Sequence, residues 1–322
     1  MLAVYAARFS ADDPVAALEV GERPDPQPLD GWVTVSVRAA ALNHHDIWSL
    51  RGVGLTEKQL PMILGCDAAG IDEEGNEVVV HAVIGDPDAR GGDETYDAKR
   101  SLLSEKYDGT LAEKVVVPRR NLVPKPAELS FAEAACLPTA WLTAYKMLFT
   151  RSGTKPGDTV LVQGAGGGVA TAAIAMARAA GLRVWATSRS EDKRKRALNI
   201  GAHDVFESGA RLPARVDAVI DSVGEATLEH SVKSCRPGGR VVLCGATSGR
   251  TAQLELARVF FNQVDLLGST MGNARELRGL VDFLVATGVR PLIDSELPLT
   301  QARDGFARML NGDVFGKVVF TI

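Results

Sequence analysis

The chain has 322 residues, 46% of them hydrophobic and 24% charged, enough apolar material for two domains with separate cores. Lys plus Arg number 36 against 40 for Asp plus Glu, a net charge of −4, which argues against a nucleic-acid footprint or a polybasic membrane patch. Cys66, Cys136, Cys235 and Cys244 form no C-x-x-C pair, so neither a disulfide framework nor a cysteine-rich zinc lobe is expected, and with no leader-like N-terminus or apolar run of about 18 residues the protein is expected to be cytoplasmic.

From residue 1 to about 125 the pattern is of short strands separated by turn chemistry, clearest at Val33 to Ala41, Glu77 to Ala82 and Leu111 to Val117. Prolines at 24, 26 and 28 interrupt its start, and the unit reads as irregular all-β. Acidic residues between Asp86 and Glu105 disfavour an anionic substrate. Pro124-Lys125-Pro126 reads as a linker, after which strand and helix alternate. Strands are expected at 159–163, 183–187, 204–206, 216–221, 239–244 and 264–269, and helices at 168–180, 191–199, 225–235 and 273–287. The basic run Lys193 to Arg196 lies on the second of these helices and reads as a solvated face. After Arg290-Pro291 short apolar stretches return, ending in Gly316 to Ile322, which are expected to rejoin the first domain. The fold expected is therefore α/β, with a β domain at 1–126 completed by 290–322 and a doubly wound parallel sheet at 127–289.

Within the second domain, Thr159 to Ala170 reads TVLVQGAGGGVA. A short apolar strand enters the turn Gly164, Ala165, Gly166, Gly167, Gly168, and a helix of small residues leaves it from Val169. Glycines there let a ligand approach the backbone, and the first N–H groups of the helix attract an anion, so a pyrophosphate is expected. A plain flexible turn is the alternative, but the flanking strand and helix and the neighbour strand Arg183 to Thr187 favour the nucleotide. The last small position of the motif is Ala170 instead of glycine. At the end of the neighbour strand, Ser188 stands where an NAD-selective site places an acid. With Arg189 and Lys193 it favours NADP(H), unless those two cations are merely solvated charges beside an adenine. Gly245, Ala246, Ser269 and Met271 follow later strands at their carboxyl ends and are expected to wrap the nicotinamide.

Ala41-Leu-Asn-His-His-Asp46, Leu60 to Gly70 (LPMILGCDAAG), Leu137 to Tyr145 (LPTAWLTAY), Lys155 to Val162 (KPGDTVLV) and Phe315-Gly-Lys-Val-Val319, in this order, resemble the medium-chain dehydrogenase/reductase superfamily. The resemblance covers nearly the whole chain and implies a GroES-like β-barrel domain joined to a Rossmann domain. Where zinc-dependent members carry metal ligands this chain has Asn43, Cys66 and Thr139, so no catalytic zinc is expected. A non-standard site would have to recruit Cys66, Asp67 and His44 or His45.

The resemblance implies further roles. Asn43 is expected to hydrogen-bond near the nicotinamide or the substrate carbonyl, and His45 stands at the position of a proton-relay hydroxyl. Trp48 falls where some quinone reductases carry a tyrosine and reads either as a flat wall for a planar substrate or as core, with Arg51 beside it. Lys317 matches a position whose side chain approaches the cofactor phosphates, or is a generic surface lysine. The function expected is zinc-free, NADPH-dependent reduction of a quinone or α,β-unsaturated carbonyl compound. An alcohol dehydrogenase with an unusual or absent metal, and an NADPH-binding protein with a structural role, are the alternatives. By analogy a homodimer is expected, paired through the edge strand Val264 to Ser269.

Overall fold

The computed structural model describes residues 1–322 and resolves into two compact units, Met1–Leu142 with Met271–Ile322, and Thr143–Thr270. The first is built on a largely antiparallel sheet whose central strand, Trp32–Ala41, shows why the sequence folds so. Val33, Val35 and Val37 point to the core while Ser36 and Arg38 face solvent, the alternation of a half-buried strand. Its end, Ala39 to Ala41, is buried on every side, between Asp67–Asp72 and the C-terminal strand Lys317–Thr321. The tail thus rejoins the first unit as expected. Gly70 on the neighbouring strand has no room for a side chain, since a Cβ would lie 2.2 Å from Ser36 O. Val35, Leu42, Leu50, Leu111, Phe306 and Phe320 anchor the core.

The unit boundaries differ from the expected ones. Residues 127–142 and 271–289 belong with the first unit. The helix Ala274–Thr287 looks in sequence like one more crossover of the parallel sheet, yet its buried stripe Leu277, Leu280 and Leu284 packs with Leu137–Trp141 and Leu122–Pro124. The helical stretch that begins at Phe131–Ala135 was not expected either. Pro138 supplies no N–H, and the turn widens to π geometry at Leu137–Trp141, which blurs the helical period.

Glu94 ties that returning helix to the sheet. Its Oε1 accepts from Ala274 N at 2.7 Å and from His81 Nε2 at 2.9 Å. Burial pushes the Glu94 carboxyl up, but the His81 and backbone hydrogen bonds outweigh it and the pKa ends below the ordinary value. A depressed carboxyl stabilises the fold above its unfolded pKa and loses that contribution as pH falls through the folded one. The urea midpoint of the wild type is therefore expected to drop more between neutral and acidic pH than that of Glu94→Gln. Parallel curves would count against this bond.

The second unit is a six-stranded sheet, all parallel, in the order Asp204–Phe206, Arg183–Thr187, Thr159–Val162, Val216–Asp221, Cys235–Leu243 and Asp265–Gly268. All six expected strands are present, that at Cys235 beginning four residues early. Strand order reverses between Thr159–Val162 and Val216–Asp221, the place where open sheets bind ligands. Leu161, Trp185, Val219 and Val241 fill its core. A short helix at Leu256–Phe261, unforeseen, leaves Leu256, Phe260 and Phe261 exposed. No helix is long and apolar enough to cross a membrane.

Candidate functional site

In the second unit the glycine turn is held from beneath by a buried polar network. Gln163 Oε1 accepts from Thr187 Oγ1 at 2.6 Å, and Gly164 N donates to the same hydroxyl at 3.3 Å. Gln163 Nε2 reaches His230 Nδ1 at 2.8 Å and Ser231 Oγ at 3.0 Å, and Ser231 in turn donates to Asp221. These side chains, which sequence reading passed over, fix the turn to two strand ends. Gly164 takes φ +70°, and a Cβ there would strike Val223 Cγ2 at 2.6 Å. Gly167 has ordinary backbone angles and nothing within 4 Å of where a Cβ would stand.

The two glycines therefore separate fold from ligand. Gly164→Ala is expected to destabilise the protein by about 1–2 kcal/mol from backbone strain, with the clash adding to it. Gly167→Ala is expected to leave the melting temperature unchanged while weakening dinucleotide binding, because its open side is where a pyrophosphate would pass. Thermal melts beside fluorescence titrations distinguish them. The helix Gly168–Ala179, with Val169 in its first turn, directs its leading N–H groups to the same place.

Around the end of Arg183–Thr187 stand Arg189, Lys193 and Arg194, with Glu191 and Asp192 among them. Ser188 Oγ accepts from Ser190 N at 3.3 Å, and Arg189 is exposed. Lys193 runs back across the turn, its Nζ 3.3 Å from where a Gly166 Cβ would be. Arg194, read in sequence as part of a solvated face, instead clamps the loop, its Nη1 donating to Ser188 O at 2.7 Å and Arg189 O at 3.3 Å. Glu191, in the same first helical turn, is paired with Lys195 at 2.7 Å. At the other strand ends, Gly245 lies against Ser222 O, where a Cβ would approach to 2.6 Å, and Ala246 packs beside Gly224. Ser269 N donates to Leu243 O at 2.7 Å. Met271 is buried, its side chain packed in the hydrophobic core of the first unit.

In the first unit the helix His44–Leu50 follows Asn43. Asp46, wholly buried, accepts from Asn43 N and from Gly65 N, both at 2.9 Å, and so ties the helix start to the Cys66 loop. Burial pushes the Asp46 carboxyl up, and the neighbouring His45 and the Asn43 N–H oppose it. Lys317 is the correction here. It is 2% exposed, and its ammonium donates to Leu42 O at 2.8 Å, Asn43 Oδ1 at 2.7 Å and Asp67 Oδ2 at 2.9 Å. All three hydrogens are used, leaving none for a cofactor phosphate.

Asn43 is likewise committed. Its amide donates to Ala41 O at 3.3 Å and Asp67 Oδ2 at 2.9 Å, so neither hydrogen is left for a substrate carbonyl. His45 is half-buried with Nε2 3.2 Å from Ser104 Oγ, and His44 is exposed. Trp48 is half-buried beneath the Arg51 guanidinium, 5.4 Å from the ring centre.

The donor set does not fit a zinc ion. Of the three positions where zinc-dependent members keep ligands, Asn43 is bonded to a lysine and Thr139 offers a neutral hydroxyl. Cys66 donates its S–H to Leu103 O at 3.2 Å, and burial pushes its thiol well above the usual value. No group of three His, Cys, Asp or Glu side chains is placed to hold a metal.

Comparison with known proteins agrees with this architecture. The family model described as alcohol dehydrogenase GroES-like domain matches residues 29–127, and that described as zinc-binding dehydrogenase matches 168–286. Acryloyl-coenzyme A reductase of Metallosphaera sedula is 30% identical, covering 94% of this chain and 96% of that protein. Quinone oxidoreductase of Mus musculus is 28% identical, covering 92% and 91%. A crystal structure of an NAD-dependent alcohol dehydrogenase is 35% identical with a TM-score of 0.91 over 100% of both chains. With a GroES-like unit and a doubly wound dinucleotide sheet in the same order, the chain belongs to the medium-chain dehydrogenase/reductase superfamily.

Proposed function

We propose that this oxidoreductase is a metal-independent, NADPH-dependent reductase of quinones or α,β-unsaturated carbonyl compounds. The observation that carries the reading is the Lys317 ammonium bonded to Asn43 and Asp67, a fixed internal cation at Asn43, the position where zinc-dependent members keep a metal ligand. The segment Ser188 to Arg194, with Arg189, Lys193 and Arg194 against Glu191 and Asp192 and no acid at position 188, supports the phosphorylated cofactor. Bound there, the dinucleotide would supply a hydride. The chain's own part is to orient it on the glycine turn and to provide the proton, for which we take His45, at the position of the family's proton-relay hydroxyl, with Nε2 held by Ser104. Trp48, with Arg51 over it, offers a flat apolar face suited to a planar quinone or enone.

The similarity to an acryloyl-coenzyme A reductase and a quinone oxidoreductase supports substrates with an activated double bond. Stopped-flow oxidation of NADPH against quinones, enones, enoyl thioesters and aldehydes, with and without chelator, tests the reading. Chelator-resistant turnover of the first three is expected. NAD-linked, chelator-sensitive alcohol oxidation would replace it with the alcohol dehydrogenase alternative, and tight NADPH binding without turnover would favour a structural role. The edge strand Asp265–Gly268, beside exposed Phe260 and Phe261, supports a homodimer, for which light scattering should give twice the chain mass of 34.2 kDa.

A further inference from the structure

Behind His45 three groups stand in line. His45 Nε2 is 3.2 Å from Ser104 Oγ, that oxygen is 3.7 Å from Cys66 Sγ, and the sulfur is 3.2 Å from Leu103 O. Ser104 and Cys66 are both 0% exposed. The carbonyl at the far end only accepts, so Cys66 must donate its S–H to it. The sulfur lone pairs are then left to receive the Ser104 O–H, and the serine oxygen to receive a proton from His45. Burial keeps the proton on Cys66, pushing its thiol well up, so the sulfur stands ready to accept from Ser104.

The backbone adds a second observation. Ser104 takes φ +65°, a left-handed conformation that costs a side-chain-bearing residue about 1–2 kcal/mol and for which glycine is the default. A serine kept there retains its hydroxyl against local strain.

We propose that Ser104, backed by Cys66, is a positioning residue that holds the proton of neutral His45 on Nε2 and leaves Nδ1, which no protein group binds, to carry the exchangeable proton. When Nδ1 is protonated the same line still accepts the Nε2 proton, so no hydrogen bond is broken as Nδ1 gives its proton to the reduced substrate and takes another from water. Asp46, whose carboxyl feels His45, and Asp67 and Glu105, which with Asp46 act on Cys66 through their charge, are the charged neighbours of this line. The catalytic meaning rests on the reductase reading above, whereas the tautomer is observable without turnover.

The test is nitrogen NMR of the imidazoles in the full-length protein above neutral pH, with the His45 signals among the five histidines identified by His45→Gln. In the wild type Nε2 is expected to be protonated and Nδ1 bare. Cys66→Ala removes the acceptor of the Ser104 hydroxyl, which then turns onto Nε2 and moves the proton to Nδ1. Ser104→Gly, better suited to the backbone, is expected to fold at least as well, to give a mixture of tautomers, and to lower kcat about tenfold with KM for NADPH unchanged. A wild-type proton on Nδ1, or a spectrum indifferent to Cys66→Ala, overturns the assignment. The stated tautomers without turnover of any quinone or enone would uphold the line and remove the reductase reading instead.

Discussion

Lys317→Met is expected to destabilise the first unit by about 3–5 kcal/mol, the usual cost of removing one partner from a buried ion pair. Methionine keeps much of the bulk but removes the charge and all three donors. Asp67, 0% exposed, would be left with the Asn43 amide as its only side-chain donor, since its Oδ1 has no partner even in the wild type. The cost comes from the stranded carboxylate more than from any net attraction lost. Neutralising it in Lys317→Met/Asp67→Asn should therefore recover most of the stability, and a double-mutant cycle in urea measures the coupling. A single-mutant loss below about 1 kcal/mol would mean that solvent or rearrangement satisfies Asp67, and the fixed-cation account of this site would go with it.

That cluster also shows what a sequence hides. Lys317 and Asn43 are 274 residues apart, and no local pattern tells a lysine in a terminal apolar strand which strand it will face. Residue types placed Asn43 near the reaction, but only the fold shows that both its amide hydrogens are spent on Ala41 and Asp67. Arg194 was hidden differently. In a run of four basic residues periodicity marks an exposed face, and the carbonyls that one of them clamps, Ser188 and Arg189, advertise nothing in sequence. The second unit was more legible because its determinants are local: apolar runs of strand length, glycines that demand a turn, and helices of small residues recur at short range. Where the local signal was mixed, as around Pro138 or in the helix Ala274–Thr287, packing with distant strands decided the outcome and moved the unit boundary.

The NADPH reading permits the sharpest functional test, at Ser188. Ser188→Asp is expected to lower kcat/KM for NADPH by about 10–10³-fold, with NADH affected far less or improved. Two unit charges 4 Å apart cost about 1 kcal/mol in water and about 4 kcal/mol at an effective dielectric of 20, and about 1.4 kcal/mol is tenfold. Ser188 is 6% exposed, which puts a new carboxylate nearer the second regime than the first. Against a bare ribose the same carboxylate accepts from the 2′-hydroxyl, so the substitution repels one dinucleotide and receives the other. Arg194 should partly offset the new charge, since its guanidinium already sits on the Ser188 and Arg189 carbonyls, and Ser188→Asp/Arg194→Ala should therefore discriminate against NADPH more strongly than the single variant. Raising the salt concentration should weaken NADPH binding by the wild type more than NADH binding, because the exposed Arg189 is screened. Equal kcat/KM for NADPH in wild type and Ser188→Asp would place the 2′-phosphate elsewhere and reduce the basic loop to a solvated surface.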